Sequence, residues 1–75
     1  MAPKYYVDRS EQANGDHEVH RHECNRLPTI NNRFYLGEFN SCHQAVMAAR
    51  KHYRQVNGCY YCSNAYRDKK ENVLK

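Results

Sequence analysis

Four residues able to ligate a soft or borderline metal fall into two close pairs: His20-x3-Cys24 and, after an interval of thirty-four residues, Cys59-x2-Cys62. Zinc takes four tetrahedral nitrogen and sulfur ligands in structural sites, and one imidazole with three thiolates is an accepted set. Two close pairs also lower the entropic cost of assembly, because a local turn half-organises each of them. A catalytic zinc site would hold three protein ligands and a water. Here four ligands close the sphere, and no Asp or Glu stands out in the sequence as a base, so the expectation is one structural Zn2+ in a non-enzymatic protein. His17, His22 and His43 compete with His20 for the imidazole position, and Cys42 competes as a fourth thiolate. His20 is preferred because its three-residue gap to Cys24 fits a short-spaced pair.

Cys42 carries a different chemistry. Placed at the start of a helix, its thiol would sit among unpaired amides that favour the thiolate, which is the setting of a reactive nucleophile. The plainer reading makes it a small hydrophobe at the head of an apolar stripe. A thioredoxin-like role for Cys59-x2-Cys62 fails on context, since that motif follows a strand and opens a helix. The expected order here is helix first and cysteines after it.

Basic residues supply the third candidate. Arg50, Lys51 and Arg54, with Lys69 and Lys70 near the end, form a possible phosphate-contacting set, and Tyr60 and Tyr61 offer rings for base stacking. Against this stands the plain reading of a solvated helix face and two rings packed on the zinc knuckle. The formal charge of +4 favours acidic partners without naming one. The expected role is therefore a binding or adaptor module for an acidic macromolecule or a protein. A nucleic-acid-binding regulatory protein is the first alternative, and a thiol-based enzyme using Cys42 or a zinc-bound thiolate the second.

These groups need a scaffold, and the chain has little with which to build one. Leu, Ile, Val and Phe total only eleven of 75 residues, too few for apolar burial alone to close a domain of this size. Seven tyrosines add ring surface while keeping their hydroxyls wet. The first residues lack the apolar run of a secretory signal, and nothing approaches a membrane span. The expectation is a cytoplasmic protein, and in a reducing compartment the Cys-x2-Cys pair favours metal over disulfides.

In chain order, Lys4-Tyr5-Tyr6-Val7 is aromatic and β-branched and predicts a strand. Asp8 to Asp16 is a polar loop in which Asn14-Gly15 supplies a positive-φ turn. His17 to His20 resumes an extended pattern and is expected to pair with the first strand as a wide hairpin. Arg33 to Phe39 predicts another strand, with Phe34 and Leu36 on one face if alternation is regular and Gly37 marking a bulge or an end. Asn40 or Ser41 offers an N-cap, and Cys42, Val46, Ala49, Tyr53 and Val56 recur at helical steps, so a helix is predicted from Cys42 to Val56. Asn57-Gly58 is the expected left-handed stop, delivering the cysteine knuckle as one rigid unit with the helix. The fold class predicted is α+β: two or three short antiparallel strands packed on one main helix, closed by Cys59-x2-Cys62. Residues 1–64 form the single domain and 65–75 a polar tail.

The order of these features, from His20-x3-Cys24 through Leu36-Gly37-Glu38-Phe39 and Ala45-Val46 to Gly58-Cys59-Tyr60-Tyr61-Cys62, resembles the zinc-binding domain of Ada-type DNA repair proteins over residues 17 to 62. It is similar also to small bacterial and phage zinc proteins with HEVH and GCYYC segments, which adds a phage-encoded protein to the nucleic-acid alternative. The Ada-type domain holds zinc with four cysteines spaced C-x3-C and C-x2-C, the first of which accepts a methyl group from a DNA phosphotriester. In this chain the acceptor position is His20. The resemblance thus implies the metal site and a basic surface, without the methyl transfer.

Overall fold

The computed structural model describes residues 2–60 and residue 62. The elements are β1 (Lys4–Asp8), β2 (His17–Arg21), a 3-10 turn (Ile30–Asn32), β3 (Arg33–Glu38), α1 (Cys42–Ala49) and β4 (Val56–Gly58). The four strands form one sheet in the order β3-β1-β2-β4. β1 pairs antiparallel with both β2 and β3, and β2 pairs parallel with β4. The α+β class, with short strands packed on one main helix, is as predicted. The fourth strand and its parallel pairing are additional.

The hairpin of β1 and β2 forms around the aromatic and β-branched run Tyr5-Tyr6-Val7 and Val19, and since side chains alternate between faces of a strand, Tyr5 and Val7 are buried while Tyr6 between them is only partly so. Val7 opposes Val19 and both are fully buried, while Tyr6 opposes His20 on the other face. Asn14-Gly15 turns the connecting loop with Gly15 at φ 95°, as expected. On the other side of β1, Tyr5 faces Gly37 and Tyr6 faces Tyr35, so Leu36 is the extra residue of a bulge. Gly37, at φ 127°, supplies the backbone that this bulge needs. The bulge breaks the regular alternation of β3: Phe34 stays on the face of Val7 and is partly exposed, whereas Leu36 packs against the core.

The helix begins where predicted and ends early. Ser41 Oγ accepts the Gln44 amide at 3.3 Å, and Gln44 Oε1 accepts the Asn40 amide at 3.0 Å, a reciprocal cap close to the Ser-x-x-Gln box. The last helical residue is Ala49, not Val56, and Arg50 is the C-cap. The apolar period beyond it is real, but another structure uses it. Tyr53 stacks on His17 with ring centroids 3.9 Å apart, and Val56 enters the core from a strand. β4 gains backbone bonds to β2, including His17 N–H to the Gln55 carbonyl at 2.9 Å, which outweigh about two further turns of helix. Asn57-Gly58 is accordingly extended strand and no left-handed stop; among the described residues only Gly15 and Gly37 have positive φ. A strand thus separates helix from cysteine knuckle.

α1 lies across one face of the sheet and touches all four strands. The core between them comprises Tyr5, Val7, Val19, Ala45, Val46, Ala49 and Val56, with Leu36, Phe39, Cys42 and Tyr53 partly buried against it. Apart from Tyr5, every fully buried member is Val or Ala, so this core is as thin as the composition implied.

Asp16 pins the loop before β2 to the segment leading into β4. It is 7% exposed, and its carboxylate accepts from Gln55 Nε2 at 2.8 Å, Asn57 Nδ2 at 3.2 Å and Asn14 Nδ2 at 3.2 Å. Asp16→Ala removes three side-chain hydrogen bonds to a buried carboxylate, one of them from the buried Asn57, and is expected to cost about 2–4 kcal/mol, since hydrogen bonds to a charged acceptor are the costly ones to lose. A shift in denaturation midpoint of the metal-loaded protein measures this, and a change under 0.5 kcal/mol would contradict the role given to Asp16.

Candidate metal centre

The site is assembled from three places in the chain. Strand alternation puts Val19 into the core and turns His20 to the opposite face, where it is 1% exposed. Immediately after β2 the backbone folds back, with Cys24 N–H donating to the Arg21 carbonyl at 3.0 Å and Leu27 N–H to the Cys24 carbonyl at 3.1 Å. This turn sets Cys24 beside His20. From the far edge, Cys59 N–H donates to the Val19 carbonyl at 2.9 Å, extending the β4 pairing by one step and fixing Cys59 over the end of β2. The Arg21 amide then donates to Cys62 Sγ at 3.3 Å.

The ligand atoms of His20, Cys24, Cys59 and Cys62 all lie within 4.8 Å of one another. Cys24 Sγ stands 3.7 Å from His20 Nδ1 and 3.9 Å from Cys59 Sγ. A tetrahedral zinc with bonds of about 2.3 Å to sulfur and about 2.0 Å to nitrogen requires separations of ~3.5 Å for a sulfur–nitrogen pair and ~3.8 Å for two sulfurs. The two Cys24 edges are close to those of such a tetrahedron, all the ligand atoms lie within 4.8 Å of one another, and the four residues can hold a metal ion. Backbone amides aim at two of the sulfurs, Arg21 N–H at Cys62 and Arg26 N–H at Cys24, the latter at 3.4 Å. Amide donors stabilise the thiolate form that a metal needs.

Burial pushes the His20 imidazole below its ordinary pKa, with the Asp8 carboxylate opposing the shift. A lowered pKa keeps the ring neutral at pH 7, the form in which a nitrogen lone pair is available. Behind the ring, Asp8, Gln12, Glu18, His20, Arg26 and Tyr60 line a polar cleft of ≈ 220 Å³.

The competing residues lie elsewhere. His17 is stacked on Tyr53, and its Nδ1 is 2.9 Å from the Asp8 carbonyl. Cys42 opens α1 and packs partly against the core. His22, after β2, and His43, on α1, are also outside the four-residue cluster. Arg50, Lys51 and Arg54 are exposed, but on the turns that follow α1 and not on a helix face. Tyr60 is 62% exposed at the rim of the cleft. Tyr61, Lys69, Lys70 and the 65–75 tail lie outside the described residues. Sequence reasoning missed Glu18, whose carboxylate faces the outer edge of the His20 ring; the signal was the i, i+2 spacing that places both on one strand face.

No protein-family model, curated protein or solved structure matches this chain. Among the described residues no helix is long and apolar enough to cross a membrane.

Proposed function

We propose that this chain is a small zinc-stabilised, non-enzymatic binding module of the cytoplasm. His20, Cys24, Cys59 and Cys62 hold one structural Zn2+ in this reading, and the partner is an acidic macromolecule or a protein. The observation that supports it is the convergence of the four ligand atoms within 4.8 Å of one another, with the Cys24 sulfur 3.7 Å from His20 Nδ1 and 3.9 Å from Cys59 Sγ. Four protein ligands leave no position for a substrate or a water on the ion, which supports a structural over a catalytic role. The partial burial of Cys42 against the core supports its reading as a packing residue, in place of a nucleophile. From the Ada-type resemblance the metal site and a basic surface are carried over without the methyl transfer, because an imidazole stands where the methyl-accepting sulfur would be.

A nucleic-acid-binding role is the second reading, favoured by the exposure of Arg50, Lys51 and Arg54 on one short segment together with exposed Tyr60. Titration of single- and double-stranded DNA and RNA against the zinc-loaded protein at several salt concentrations separates the two. A steep loss of affinity with salt that flattens in an Arg50→Ala, Lys51→Ala, Arg54→Ala variant assigns nucleic acid as the partner. Absence of binding at low salt leaves a protein partner.

A further inference from the structure

One atom of the site is left over once the metal is assigned. His20 is almost fully buried, its Nδ1 is turned to Cys24, and its Nε2 is buried with no hydrogen-bond partner. A neutral imidazole has one lone-pair nitrogen and one N–H. If Nδ1 gives its lone pair to a metal, the hydrogen must sit on Nε2, where burial makes an unmatched donor costly.

The acceptor facing that hydrogen is Glu18. Its Oε1 lies 3.7 Å from His20 Nε2, and its side chain is 23% exposed, so the carboxylate is partly dry. Both residues project from the same face of β2, two positions apart, and both border the polar cleft. The gap exceeds a charge-assisted N–H···O contact by roughly 0.9 Å, a distance that rotation of the two terminal Glu torsions covers without moving the strand. Asp8 also borders the cleft and its charge bears on the ring, but the carboxylate found 3.7 Å from Nε2 is that of Glu18.

We propose that Glu18 is the outer partner of the metal centre: with zinc on Nδ1, its carboxylate accepts the His20 Nε2 hydrogen, fixing the tautomer and the plane of the ring. Glu18 is a positioning residue that touches no metal, and its role rests on the zinc reading above. Outer carboxylate partners of ligating histidines typically change metal affinity by 10–100-fold, so Glu18→Ala lowers zinc affinity within that range. Glu18→Gln keeps an acceptor oxygen in the same place and recovers part of the loss. Asp8→Asn changes affinity much less than either.

The test is zinc affinity by chelator competition for wild type, Glu18→Ala, Glu18→Gln and Asp8→Asn, joined to nitrogen-15 NMR of the His20 ring in the loaded proteins. The expected wild-type spectrum has zinc on Nδ1 and a slowly exchanging Nε2 hydrogen. That hydrogen exchanges faster in Glu18→Ala and is again protected in Glu18→Gln, a recovery that loss of general stability would not produce. Should Glu18→Ala fail to fold, Glu18→Leu, which fills similar space and carries no acceptor, takes its place in both readouts. Wild-type zinc binding with affinity and Nε2 exchange unaltered by both Glu18 variants overturns the role of Glu18 and leaves the metal reading standing. A ring ligated through Nε2 overturns it equally. A wild-type chain that takes up no zinc removes both.

Discussion

Stripping zinc from the loaded protein with a strong chelator is expected to unfold it. The seven residues of the buried core are four valines, two alanines and Tyr5, and a core of that size offsets only part of the backbone entropy of the strands it joins. A metal held by the cluster would tie the end of β2, the turn at Cys24 and the segment after β4 to one point. Structural zinc in small modules contributes on the order of 10 kcal/mol or more at neutral pH, comparable with the whole stability of an ordinary domain. Without the ion, three thiols and an imidazole crowd together at the end of β2. Circular dichroism and amide NMR dispersion follow the outcome. Collapse of both on chelation, with recovery on adding zinc, is expected; a metal-free chain that keeps its dispersion and melts cooperatively would contradict it.

The second large effect separates the ligand cysteines from the remaining one. Cys59 is 1% exposed, and its sulfur is one corner of the cluster. Cys59→Ser replaces a thiolate by a hydroxyl that stays protonated near pH 7, so both zinc stoichiometry and the cooperative transition are lost, and Cys24→Ser and Cys62→Ser behave alike. Cys42→Ala instead removes a partly buried group from the head of α1, at a cost of about 1 kcal/mol, and zinc remains bound. Native mass spectrometry on the four variants reads this directly. Release of zinc by Cys42→Ala, or its retention by Cys59→Ser, would overturn the assignment.

The chemistry was more legible in the sequence than the topology. Ligand pairs are local in sequence, and their spacing alone brought His20, Cys24, Cys59 and Cys62 forward. The hairpin of β1 and β2, the Gly15 turn and the Gly37 bulge were readable because alternation and positive-φ glycine leave local marks. The end of the helix was not. Tyr53 and Val56 continue the apolar period and are buried as the period implies, yet Val56 reaches the core from a strand whose partner, β2, lies some forty residues earlier. Periodicity reports which side chains are buried and is silent on a remote backbone that competes for them. Spacing puts Glu18 on the strand face of His20, but what it can do there depends also on which nitrogen of the ring faces the sulfurs, and ring orientation leaves no mark in the sequence.

X-ray absorption at the zinc edge of the loaded, purified chain is the most direct measurement of the central claim. A single zinc per chain is expected, surrounded by three sulfurs at about 2.3 Å and one imidazole nitrogen at about 2.0 Å. A shell of four sulfurs, a shell dominated by oxygen, or the absence of stoichiometric zinc would contradict it.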